Sequence, residues 1–296
     1  MKEKVKCKKC GLLIDKDSNF CPYCGYDQTK EEKTTIDVNP SDIIDANGNA
    51  AQLKRARFTD FKSQALDLNW VKSLIFFLFG FLGLKLIAYL LQIIAVVSSN
   101  WYFLASGAAS SAINFSCYIM LFGGFLIFAG KDITKFFKDF KENKTLLYGL
   151  GFGFLLMIAS STVSSLMNLI RDSGVNDNEA AIDSITTSFP LLSLIIFGIL
   201  GPICEEFTYR LGLFTLLKCW NRVAAYFLTA VIFGFIHFNF LSGDIVGELI
   251  NIPSYIVAGV LLCYFYDYKG IGASMIAHIT NNFIAIGLQI LLSLLN

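Results

Sequence analysis

The sequence predicts an all-α polytopic membrane protein, a bundle of about seven transmembrane helices behind a small zinc-ribbon head, and three observations predict it. Hydrophobic side chains make up 55% of the 296 residues, and 28 residues are Phe. Charged residues are 16%, against about 25% in soluble domains, and mean hydropathy is +0.58. The net charge of +1 is unevenly laid out: 13 of the 24 Lys and Arg precede residue 73, and the rest cluster in gaps between apolar runs. A water-soluble enzyme, a disordered regulator and a collagenous or coiled-coil chain are excluded by this composition.

The head comes first, over residues 1–27. Cys7-x-x-Cys10-Gly11 and Cys21-x-x-Cys24-Gly25 are two turns whose four thiolates can reach one tetrahedral ion. Zinc is the expected metal for an all-sulfur site. So short a segment has no core of its own, and metal binding would supply its folding energy. Disulfides are disfavoured because the basic flanks suit a reducing cytosol. Lys2, Lys4, Lys6, Lys8 and Lys9 suit anionic headgroups as well as a protein. The ribbon is expected to recruit or regulate through a protein partner, and nucleic acid is not the expected ligand. The basic start is not a cleaved signal peptide, since no apolar core follows it. Residues 28–69 read as a polar linker ending in a short surface helix from Gln52 to Leu68.

The membrane domain occupies 70–296. Runs able to span about 30 Å of hydrocarbon lie at 70–97, 112–130, 145–170, 190–217, 223–241, 248–266 and 271–294. They are too long and continuous for strands of a membrane barrel. Segment 131–144 carries five Lys, 218–222 carries Lys218 and Arg222, and 267–270 carries Lys269. The alternate links, 98–111 and 242–247, carry no basic residue, and 171–189 has Arg171 beside four acids. Positive-inside reasoning then predicts an integral protein of the plasma membrane, with a cytosolic N-terminus and the C-terminus outside.

Charge inside a span is costly, so each such residue is a functional candidate. Lys85, which can snorkel, is assigned no role. Glu206 and Arg210 are four residues apart on one helix face, where they can pair. Glu205 is rotated by about 100° and has no such cation, which leaves it available. The chain's two histidines both fall in apolar runs: His237, one turn after Phe233, and His278, one turn before Asn282. His278 and Asn282 offer two donors side by side, as needed for a developing oxyanion. At about 1.5 Å per residue, Glu205, His237, His278 and Asn282 lie roughly 18, 22, 12 and 18 Å from the inner helix ends. They share one slab of the bilayer, as a catalytic cluster must. Cys204, beside Glu205, reads as a buried, inert thiol.

Glu205-Glu206-x-x-x-Arg210, Phe233-x-x-x-His237 and His278-x-x-x-Asn282 together resemble the three-motif signature of the CPBP family, the CAAX protease and bacteriocin-processing (Abi) intramembrane proteases. The resemblance covers roughly 190–290. It departs after Arg210, where the family often has Phe-Arg-Gly and this chain reads Tyr209-Arg210-Leu211, with Gly212 one place later. It implies peptide-bond hydrolysis within the membrane, with Glu205 as general base and His237 its partner in activating water. It implies further that His278 and Asn282 hold the oxyanion, while Glu206, Arg210 and Phe233 support the site. The family is usually labelled metalloprotease. Glu205, His237 and His278 form a feasible zinc set with an open position, and a metal-free route needs only an ionised Glu205.

The leading function is thus an intramembrane endopeptidase acting on peptide or membrane-protein substrates in the bilayer. A membrane scaffold or bacteriocin-immunity protein recruiting partners through its ribbon is the alternative, and a proton-coupled transporter a third. Glu205→Gln separates them: a peptidase loses cleavage, a scaffold keeps its partner and a transporter loses pH-dependent flux.

Overall fold

The computed structural model describes residues 4–7, 12–16, 18, 21, 28, 61–66, 68–97, 107–141, 144–171, 174 and 176–295. The chain divides into two units, Met1–Lys62 and Ser63–Asn296.

In the first unit, β1 (Lys4–Lys6) and β2 (Leu13–Asp15) pair antiparallel, with Val5 opposite Ile14. The N–H of Cys7 bonds the carbonyl of Leu12 at 2.8 Å. Cys7 and Cys21 are buried, and the Gln28 amide donates to the Cys7 sulfur at 3.1 Å. Cys10 and Cys24 lie outside the described residues.

The second unit is a helical bundle: α1 (Trp70–Val97), α2 (Gly107–Ala129), α3 (Ile133–Lys141), α4 (Thr145–Ile170), α5 (Asp177–Ser188), α6 (Pro190–Lys218), α7 (Arg222–Phe235), α8 (Ile245–Lys269) and α9 (Ile271–Leu295). Among the described residues, six helices are long and apolar enough to cross a membrane, namely α1, α4, α6, α8, α9 and the run Ser111–Phe136 through α2. The remaining expected run, 223–241, gives only the 14 residues of α7. It stops at Phe235, short of the expected 241. The cause is local: the His237 ring nitrogen Nδ1 takes the Phe233 carbonyl at 2.9 Å, the acceptor that the His237 N–H would use to continue the helix. That N–H turns back to Gly234 at 3.2 Å instead.

α6 is not a plain α-helix. It passes into π geometry at Ile196–Leu200 and again at Glu206–Phe214, an irregularity that recurs at functional sites. Small residues let neighbours close on it and on α4. A Cβ on Gly212 would lie 2.7 Å from the Phe77 nitrogen of α1, and one on Gly153 would lie 2.6 Å from the Thr280 side chain of α9.

Two polar seams mark the ends of the bundle. At one end, Asp267 is fully buried and binds Arg222 Nε at 2.6 Å, the Tyr226 hydroxyl at 2.8 Å and the Ser63 hydroxyl. The backbone of Gln64 donates to the Asp267 carbonyl at 2.7 Å, and that of Leu66 to the Tyr266 hydroxyl at 3.0 Å. Ser63, Gln64 and Leu66 therefore form a strap bound to α8. The expected surface helix does not exist over its described part, because the Gln64 and Leu66 N–H groups are spent on α8; residues 52–60 and 67 lie outside the described residues. Lys72 pairs with Asp132 at the same end. At the other end, Arg171 forks onto Asp244 at 2.9 Å twice. The Gly247 N–H and this guanidinium hold the Asp244 carboxyl below the usual carboxylate range. Buried Glu248 accepts from the backbone of Asp177 at 2.8 Å and of Asn239 at 3.0 Å. The lysine-bearing links and the Arg171 link thus fall at opposite ends, as their alternation in sequence requires.

Candidate active site

Glu205 and Glu206 sit where α6 changes from α to π geometry. The second π segment is held by its own threonines. Thr208 Oγ1 donates to the Cys204 carbonyl at 2.7 Å, and Thr215 Oγ1 to the Arg210 carbonyl at 2.8 Å, five residues back.

Glu206 is fully buried and surrounded by donors. Its Oε1 lies 2.9 Å from His278 Nδ1 and 3.4 Å from Arg210 Nη1, and its Oε2 accepts from the Ser274 hydroxyl at 2.5 Å. Arg210, equally buried, lies with its guanidinium carbon 4.8 Å from the centre of the Phe233 ring. Among the described residues its nitrogens make no hydrogen bond, so its compensation is the Glu206 charge and the ring face. Glu205 differs in kind. Its side chain is 22% exposed, and its Oε2 stands 3.6 Å from His278 Nε2, beyond direct hydrogen bonding.

His278 therefore bridges the two glutamates. An ionised Glu206 accepts only, so Nδ1 of His278 carries a proton toward it, and Nε2 faces Glu205. His237 is fixed the same way, with Nδ1 on a carbonyl. Its ring stacks on Tyr255 at 4.2 Å between centroids, and Tyr255 is held through its hydroxyl by Glu179 at 2.8 Å and Asn176 at 3.1 Å. Phe233 sits between the histidines, 5.1 Å from the His237 ring and 6.0 Å from the His278 ring. Asn282 donates from Nδ2 to the Phe197 carbonyl at 3.3 Å, in the first π segment, and its Oδ1 accepts from Asn281 at 2.9 Å. One N–H of Asn282 is thus engaged, leaving the other for a ligand.

Glu205, Glu206, Arg210, Phe233 and His278 come together as one connected cluster, with His237 and Asn282 at its edges. Among the described residues, no three His, Cys, Asp or Glu side chains converge on a metal position. Glu205, His237 and His278 as placed do not make a zinc cage.

Two supporting residues are not evident from the motifs. Tyr255 comes from a helix the motifs do not mention. Ser274 was accessible to the helical argument, since it lies one turn before His278 on the same face. Ser274 fixes the carboxylate that fixes His278. Ser274→Ala is expected to lower kcat about tenfold, a fraction of the 1.5–3 kcal/mol typical of a hydrogen bond to a charged group. Steady-state kinetics should show unchanged KM and recovery in Ser274→Thr. A change confined to KM, or lost folding with normal kcat, would contradict this positioning role.

Comparison with known proteins was informative for two regions. Residues 187–284 match the family model described as Type II CAAX prenyl endopeptidase Rce1-like, and residues 3–28 match a zinc-ribbon domain. A protein of Mycoplasma capricolum subsp. capricolum, described only as uncharacterized, is 28% identical over 182 residues, 56% of this chain and 52% of that protein. The chain thus spans about half the length of this relative. No solved structure matches.

Proposed function

Because residues 187–284 match the Type II CAAX prenyl endopeptidase Rce1-like model and residues 3–28 a zinc-ribbon domain, we propose that this chain is an intramembrane endopeptidase of peptide or membrane-protein substrates. The observation that carries the reading is the division of labour between adjacent carboxylates. Glu206 is consumed by Arg210, His278 and Ser274, whereas Glu205 is left accessible beside the His278 ring.

In the proposed reaction, a water beside Glu205 gives its proton to that carboxylate as its oxygen bonds the scissile carbonyl carbon. The lone pair on His237 Nε2 orients the water. The oxyanion is held by the remaining N–H of Asn282 and by His278. His278 can donate from Nε2 only as imidazolium, and Glu206 behind it supplies the counter-charge. When the C–N bond breaks, Glu205 returns its proton to the leaving nitrogen, giving a carboxylic acid and an amine, which exchange a proton to become carboxylate and ammonium. The ribbon is proposed to hold zinc on Cys7, Cys10, Cys21 and Cys24 and to engage a protein partner in the cytosol.

The test is a comparison of peptide termini in membranes and medium from cells carrying wild-type protein or Glu205→Gln at equal expression. Termini present only with wild type support proteolysis and identify substrate candidates. Identical profiles, in cells where deletion still has an effect, would give the function to a scaffold.

A further inference from the structure

The site sits at a boundary between two unlike halves of the bundle. On the strap side of Glu206, the core is closed: Leu211, Phe214, Leu262, Phe265, Tyr266 and Ile271 are all fully buried. On the other side packing is looser. Glu205, His237, Tyr255, Asn281 and Asn282 are all partly exposed. These six side chains pack the strap half of the core against Glu206, among the described residues.

The short helix α7 shows where the route lies. It starts at Arg222 on the strap face, and its 14 residues reach about 21 Å, well short of about 30 Å of hydrocarbon. His237 and the turn after it are therefore non-helical backbone within the depth of the membrane. Such backbone is tolerated only inside protein or along a water-filled cavity. Here its surroundings are polar. The Asn239 amide donates to Asp177 at 2.7 Å, its N–H to Glu248 at 3.0 Å, and Tyr255, stacked on His237, bonds Glu179 and Asn176. All belong to the seam opposite the strap.

We infer that the catalytic site opens on the membrane face opposite the strap, through a polar entry between the α7–α8 turn and the start of α5. The lysine-rich links lie on the strap face, which positive-inside reasoning places in the cytosol. The substrate is then a polypeptide segment presented from the non-cytosolic side, such as a stretch of an exported or membrane protein. A lipidated C-terminus offered from the cytosol would approach the closed half. This assignment of substrate class rests on the peptidase reading; the access route does not.

Single-cysteine variants and a membrane-impermeant maleimide test both parts, with label read by mass spectrometry on the peptide bearing the new cysteine. Lys131→Cys marks the strap face and Phe240→Cys, at an exposed tip of the α7–α8 turn, marks the opposite one. Asn281→Cys reports the site. Asn281→Cys is expected to label from the same side as Phe240→Cys and to resist label from the side of Lys131→Cys. Labelling from the Lys131 side, or from neither side while both markers react, would overturn the access route. In intact cells Phe240→Cys and Asn281→Cys should react and Lys131→Cys should not; the reverse would overturn the substrate class. Since labelling needs no turnover, a protein that passes these tests yet releases no termini loses the peptidase reading alone.

Discussion

Glu206→Gln leaves a fully buried guanidinium facing an uncharged amide, and we expect the bundle to lose about 3–5 kcal/mol of stability, the usual cost of removing one partner of a buried ion pair. Arg210 has no other counter-charge within reach, and its nitrogens make no hydrogen bond among the described residues. The reverse deletion should be milder. Arg210→Met leaves Glu206 its bonds from Ser274 and His278, and a long apolar chain still covers the Phe233 ring. Unfolding in detergent or bicelles of the two single variants and the double variant would measure the asymmetry and the coupling. Equal losses from the two single variants would mean that His278 and Ser274 do not sustain the carboxylate.

Glu205→Gln should behave in the opposite manner: stable but inactive. Its side chain is partly exposed and its contact with His278 is 3.6 Å long, so the neutral isostere leaves the fold intact. As the proposed general base, it should cost about 10²–10⁴-fold in kcat, with KM little changed. Purified wild-type and variant protein in lipid, assayed on a peptide recovered from the termini comparison, would show this. Wild-type kcat in the variant would move the base elsewhere in the cluster.

Much of this architecture was readable in the residues. Apolar runs locate every long helix, since hydrophobicity over such lengths has no other use. The Glu206–Arg210 pair followed from helical spacing and survives the π geometry. The end of α7 was not readable. Ile236, Phe238, Phe240 and Leu241 keep the run apolar, and what stops the helix is a single ring nitrogen competing for a carbonyl. Asp267 and Glu248 lie at the ends of apolar runs and resemble ordinary link residues. Their burial depends on Arg222, Tyr226, Asp177 and Asn239 from other elements, which spacing along one helix does not reveal. The two donors foreseen in His278 and Asn282 proved to be partly committed, one to Glu206 and the other to Phe197. Only contacts between helices disclose that.

The strap fixes where the membrane domain can be cut. A chain begun at Trp70 keeps every membrane helix yet strips Asp267 of its Ser63 hydroxyl and Tyr266 of its Leu66 donor. Tyr266 in turn shares a 2.9 Å bond with Thr215, whose hydroxyl holds the Arg210 carbonyl. Trimming seven residues would thus loosen the helix that carries the glutamates. A chain begun at Ser63 retains the whole series. The shortest fragment that keeps the membrane domain with its strap therefore begins at Ser63 or ahead of it.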